Sequence, residues 1–178
     1  MTDRFWMACL FGLCACAQPA RAEQPSTDEN LLVLVADPHV SPGVVKRAKG
    51  FEADTREPFT NMVRAVAAMN PRPAGVLFLG DLVEQPTAEA YRLFRDLLAP
   101  LEAARIPYYL TLGNHDQAAR FYEVFPEWKA KCGATGSLAY RIALPAVDVL
   151  TLETTDPANM GGYYGRIAPD VRAWLQAE

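Results

Sequence analysis

With 178 residues, 51% of them hydrophobic and 21% charged, the chain is long enough for one domain with a real core, and its composition excludes an intrinsically disordered protein. A formal net charge of −4 excludes any general electrostatic attraction to nucleic acid or anionic lipid. Affinity for phosphate would therefore need a local cationic site.

The chain opens with an apolar run over residues 5–17 behind Arg4. A bilayer-spanning helix needs about 20 apolar residues, so this run is too short to cross. It leads to Ala20-Arg21-Ala22 before Glu23, a small-x-small cleavage pattern. Residues 1–22 read as a secretory signal peptide, which places residues 23–178 in the periplasm or outside the cell with no stable membrane insertion. The alternative is a lipid on Cys16, in Leu13-Cys14-Ala15-Cys16. Loss of Arg4, Arg21 and Asp3 with such a leader takes the net charge from −4 to −5. Cys9, Cys14 and Cys16 leave too, so Cys132 can form no intramolecular disulfide.

Residues 31–36 (Leu-Leu-Val-Leu-Val-Ala) form an apolar run that predicts a strand buried on both faces of a sheet. A Gly/Pro-containing loop is expected from 38 to about 57. Phe59, Met62, Val63 and Val66 recur at helical spacing and predict a helix over 59–69, ended by Pro71 and Pro73. Residues 75–79 predict a second buried strand. Thr87 is a candidate cap for the next helix, with Phe94, Leu97, Leu98 and Leu101 as its apolar stripe and Pro100 bending or ending it. Residues 106–112 predict a third strand, and 118–128 a helix. The strand–helix alternation suits right-handed parallel crossovers. The pattern then changes to two short segments, 138–144 and 147–152, that predict an antiparallel hairpin. A loop with Gly161, Gly162 and Gly165 follows, and a last helix opens near Pro169. Phe121, Phe125 and Trp128 read as core, and Tyr163 and Tyr164 as rim or cleft residues.

In open α/β sheets, ligands bind beyond the carboxyl ends of the strands. Here the three parallel strands are followed by Asp37-Pro38-His39, by Gly80-Asp81, and by Gly113-Asn114-His115-Asp116. Carboxylate, imidazole and amide oxygen are the donors that hold divalent metals. Residues i and i+2 of an extended segment point the same way, so Asp37 and His39 can grip one ion together. Gly80 and Gly113 leave room for close backbone approach. Asp81 lies where a carboxylate can bridge two ions about 3.5–4 Å apart. Each piece alone is a common loop pattern. Their order, each after a buried strand, is what carries the metal-site reading.

These three blocks resemble the D-x-H, G-D and G-N-H-D/E blocks of calcineurin-like metallophosphoesterases. Leu152-Glu153-Thr154, Gly165-Arg166-Ile167 and Trp174-Leu175 are similar to the bacterial cyclic-nucleotide-phosphodiesterase-like branch. The resemblance implies a four-layer α/β/β/α sandwich and hydrolysis of a small-molecule phosphate ester; the acidic chain argues against nucleic acid as a partner. The resemblance also implies two divalent ions (Mn, Fe, Zn or similar) that lower the pKa of a shared water. Asp37 and His39 would bind the first ion, Asp81 would bridge, and Asn114 would bind the second. His115 would serve as general acid, with Asp116 orienting it. The residue three after Asp81 is Glu84, where purple acid phosphatases carry a tyrosine, which argues against an iron-tyrosinate enzyme.

The family also uses histidines from an H-H-P-like segment and a G-H-x-H segment. This sequence has two histidines, both already assigned. The expectation is an N-terminal part of the domain, with the second half of the sandwich missing and activity impaired or lost. A non-catalytic remnant or scaffold on the same fold is the alternative.

Overall fold

The computed structural model describes residues 26–46, 50, 52–145, 147–156 and 165–178. The expected signal peptide, the lipid position Cys16 and the tyrosines Tyr163 and Tyr164 lie outside these residues.

The strands Thr27–Val35 (β1), Arg72–Leu79 (β4) and Tyr108–Thr111 (β5) form a parallel sheet in the order β1-β4-β5. The helix Arg56–Ala67 (α1) connects β1 to β4. Ala88–Leu97 (α2) and Ala99–Ala103 (α3) connect β4 to β5. Between β1 and α1 the expected loop contains a short antiparallel pair, Val45–Lys46 (β2) with Glu52–Ala53 (β3). The sequence pattern missed it because two-residue strands carry no periodicity.

Thr87 caps α2 as expected, its hydroxyl accepting from Ala90 N–H at 3.1 Å. Pro100 opens α3 instead of simply ending α2, since proline suits the first turn of a helix. The helix expected over 118–128 stops early. Ala118–Val124 (α4) gives way to a 3-10 segment, Pro126–Thr135, because Pro126 cannot continue the α-helical ladder. The hairpin Tyr140–Ala143 (β6) with Asp148–Thr151 (β7) and the closing helix Pro169–Ala177 (α5) are both present.

One face of the sheet packs against the helices. Phe59 from α1, Phe78 from β4 and Phe94 from α2 form a ring cluster with centroids 5.4–6.0 Å apart. All three are buried, each worth about 1.5–3 kcal/mol of apolar transfer. Phe121, Phe125 and Trp128 join this core, as expected. The opposite face departs from expectation. Leu34 is 60% exposed and Leu79 44%, so β1 and the end of β4 are covered on one side only. Between this face and β7 lies a cavity of about 490 Å³, lined by Leu34, Leu77, Leu79, Thr111, Val149 and Leu152 among others. An unbroken apolar run reports the composition of a strand. It does not report what covers each face.

Candidate metal centre

The segments that follow β1, β4 and β5 bring both histidines of the sequence together with one carboxylate. Donor atoms of His39, Asp81 and His115 all lie within 4.8 Å of one another. The two imidazole rings meet edge to face, with centroids 4.7 Å apart.

The backbone reaches this arrangement by twisting. Among the described residues, four non-glycine positions have positive φ, and three of them are Asp37 (49°), His39 (43°) and Asp81 (47°). Such conformations cost about 1–3 kcal/mol each and persist where the surroundings hold them. The extended Asp37–His39 geometry expected from the sequence is therefore corrected: regular strand structure ends at Val35 and both residues are left-handed. His39 is placed by pairing to the neighbouring strand tip. Its N–H donates to Asp81 O at 2.9 Å, and Val40 N–H donates to Leu82 O at 3.0 Å. A parallel bridge between Val40 and Val83 completes the link. Asp37 is exposed and stands outside the converging trio. Asn114 occupies the turn after β5, half-buried.

The glycines behave as expected. A Cβ on Gly113 would strike the Asp81 side chain and come within 2.5 Å of Asp81 N. One on Gly80, whose φ is 82°, would come within 2.7 Å of Gly113 N. The strand tips touch at a distance only glycine permits.

Within the trio, Asp81 Oδ1 accepts from His115 N–H at 2.9 Å. Its Oδ2 stands 3.6 Å from His39 Nε2, beyond a hydrogen bond. His115 Nδ1 lies 3.0 Å from the carbonyl oxygen of Glu84. A carbonyl can only accept, so the proton belongs on Nδ1 and Nε2 keeps its lone pair. His39 Nδ1 is buried and makes no aligned hydrogen bond; Glu84 Oε2 stands 3.0 Å away, near enough in distance but not in direction.

Asp116 is 2% exposed and serves a different purpose from the one expected. Its Oδ2 accepts from Leu82 N–H (3.1 Å) and Gly113 N–H (2.9 Å). Its Oδ1 accepts from the Tyr91 hydroxyl at 3.0 Å, which in turn accepts from Gln117 N–H at 3.0 Å. The reading of Asp116 as the orienting partner of His115 is corrected: the carboxylate clamps the tips of β4 and β5 to α2, and the Glu84 carbonyl holds the imidazole. Burial pushes the Asp116 carboxyl up to about 6, against the pull of these hydrogen bonds, and the Asp81 charge adds to the rise. Burial and the neighbouring Asp116 likewise raise the Tyr91 phenol.

The sequence reading weighed Glu84 only against the tyrosine of purple acid phosphatases and gave Tyr91 no role. Glu84 had one signal, its place in the loop after Asp81. Tyr91 lies three residues before Phe94 on the buried stripe of α2, where a phenol needs a polar partner. The Glu153 carboxylate accepts from Leu138 N–H (2.6 Å) and from the Thr155 hydroxyl (2.7 Å).

A divalent cation fits these residues. Two imidazoles and a carboxylate converge, and the Asp81–His39 approach is too long for a hydrogen bond but suits a shared ion.

The family model for calcineurin-like phosphoesterases matches residues 31–167. A cAMP/cGMP dual specificity phosphodiesterase of Mycobacterium tuberculosis is 26% identical over 159 residues, which cover 88% of this chain and 47% of that protein. A probable glycerophosphodiester phosphodiesterase of Arcobacter nitrofigilis is 30% identical over 99 residues, 55% of this chain and 34% of that one. Among solved structures, a dimetal phosphatase from Danio rerio has a similar fold. It aligns with a TM-score of 0.54 at 14% identity, covering 82% of this chain and 50% of that one. The chain thus spans about half or less of the length of the curated relatives it matches.

Proposed function

The chain belongs to the calcineurin-like phosphoesterase family, and from that premise we propose that His39 and Asp81 anchor a two-metal centre that hydrolyses a small phosphate ester, with His115 beside them as its general acid. The observation that carries this reading is the approach of their donor atoms to within 4.8 Å at the strand tips. Asp37 and Asn114 complete the donor set on the family resemblance. A phosphodiester is the favoured substrate class, since the relatives are phosphodiesterases by name.

When bound, the ions supply the Lewis-acid charge that the phosphoryl oxygens and an attacking water require, and that an acidic chain otherwise lacks. The chain's own residues do the rest. Asp81, 8% exposed, presents Oδ2 toward His39 while His115 N–H fixes its Oδ1. His115 carries its Nδ1 proton against the Glu84 carbonyl, so Nε2 is the nitrogen that exchanges a proton with the leaving oxygen. Asp116 and Tyr91 hold the loop on which Asn114 and His115 sit.

Both histidines of the sequence are committed to this trio, whereas the resemblance implies further imidazole ligands. The 178-residue chain alone is therefore proposed to hold its ions weakly and turn over slowly. A non-catalytic scaffold on the same fold is the second reading. Residues 1–22 are proposed to export the chain, and N-terminal sequencing of the secreted product tests that step. For the enzyme reading, the purified chain is assayed with Mn²⁺ and bis(p-nitrophenyl) phosphate. Slow, EDTA-sensitive hydrolysis that Asp81→Asn abolishes is the expected result. Hydrolysis that survives EDTA or Asp81→Asn contradicts the two-metal reading. Near-normal turnover contradicts the weak-ion part, and absence of bound ions with no turnover supports the scaffold.

A further inference from the structure

Glu84 is the residue nearest to doing two jobs at the centre. Its backbone carbonyl faces His115 Nδ1 at 3.0 Å, and its carboxylate Oε2 faces His39 Nδ1 at 3.0 Å. The two contacts reach the same nitrogen of the two imidazoles. Glu84 is itself anchored, because its N–H donates to Val40 O at 3.1 Å, beside the Val40–Val83 bridge. Its side chain is 13% exposed and that of His39 20%, so the pair is largely withdrawn from water. A buried Nδ1 needs an acceptor, and among the described residues this carboxylate stands 3.0 Å from it, out of line as placed but on the soft terminal torsion of a glutamate that can turn it into line.

We propose that Glu84 is a two-point positioning residue. Its carbonyl and its carboxylate together hold both histidines as Nδ1–H tautomers, so that Nε2 of His39 is kept for metal and Nε2 of His115 for proton exchange with the leaving oxygen. A ligating histidine commonly donates its other ring N–H to a carboxylate or a carbonyl, and that partner fixes tautomer and ring orientation. Here one residue supplies both kinds of acceptor. The two contacts are separable by mutation. Any side-chain substitution leaves the carbonyl to His115 in place and removes only the support of His39. The inference rests on the metal-centre reading for its consequence, but the tautomer assignment stands without metal.

The test uses the untagged 178-residue chain, whose two histidines give two imidazole spin systems. Long-range ¹H–¹⁵N correlation on the metal-free protein at about pH 9, above the ordinary imidazole range, reads each tautomer. His115→Asn assigns the signals. In the parent protein both rings are expected as Nδ1–H. In Glu84→Ala, His39 is expected to become a tautomer mixture while His115 keeps its proton on Nδ1. Glu84→Gln, which restores a neutral acceptor, is expected to return His39 to Nδ1–H. Zn²⁺ affinity, read by chelator competition, is expected to fall about 10–100-fold in Glu84→Ala and less in Glu84→Gln. Unchanged His39 tautomer in Glu84→Ala, or a change in both rings alike, overturns the proposal. So does a Zn²⁺ affinity unchanged within twofold in a parent protein that binds the ion. A parent protein that binds no Zn²⁺ but shows the tautomer shift contradicts the metal centre and leaves the clamp standing. If Glu84→Ala fails to fold, Glu84→Gln carries the test through its tautomer: an Nδ1–H signal on His39 supports the clamp, and its absence overturns it.

Discussion

Replacement of Asp116 separates its architectural role from a catalytic one. Asp116→Ala leaves three donors without their acceptor: Leu82 N–H, Gly113 N–H and the Tyr91 hydroxyl. A buried donor left unsatisfied costs about 1–3 kcal/mol, so three at the low end come to about 3 kcal/mol. Part of that is offset, because a carboxyl pushed up to about 6 by burial was an unfavourable charge to keep. Asp116→Asn is the informative contrast. Its amide oxygen can serve the two backbone N–H groups that Oδ2 now serves, and it removes the buried charge, losing mainly the Tyr91 bond. The expected loss is about 1 kcal/mol for Asn and about 3 kcal/mol for Ala, read by urea unfolding of the metal-free protein at neutral pH. Equal losses for the two variants, or an Ala variant within about 0.5 kcal/mol of the parent, refute the clamp.

Tyr91→Phe removes a hydroxyl bonded to both Asp116 and Gln117 N–H and is expected to cost about 1–2 kcal/mol in the same assay. Gly113→Ala drives a Cβ into Asp81 and is expected to cost about 2–3 kcal/mol and to weaken Mn²⁺ binding, measured by calorimetry. Leu34→Ser, at a 60% exposed position, is expected to change stability by no more than about 0.5 kcal/mol while reducing light scattering from the exposed sheet face. Added Mn²⁺ is expected to raise the melting temperature of the parent chain in a concentration-dependent way and that of Asp81→Asn far less, by scanning calorimetry.

The strand tips were legible in the sequence because three apolar strands each ran into metal-type donors, and close packing at Gly80 and Gly113 followed from the absence of a Cβ. The two-residue pairing of β2 with β3, the switch to a 3-10 segment at Pro126 and the open face at Leu34 were not legible. Each depends on tertiary neighbours that a local pattern does not report. The i, i+2 argument for Asp37 and His39 failed for a related reason. It assumed an extended backbone, and pairing of His39 N–H with Asp81 O holds that segment in left-handed turns instead. The family resemblance also led to Asp116 as the partner of His115. In space the buried carboxylate finds the backbone N–H groups of two strand tips, and Glu84 supplies the acceptor for His115.

The most direct test of a shared centre is paramagnetic relaxation by Mn²⁺ of the imidazole signals of His39 and His115. Substoichiometric Mn²⁺ is expected to broaden both rings together in the parent chain, and neither at the same concentration in Asp81→Asn. Broadening of one ring without the other, or equal broadening when Asp81 is replaced, would contradict a common metal site at these strand tips.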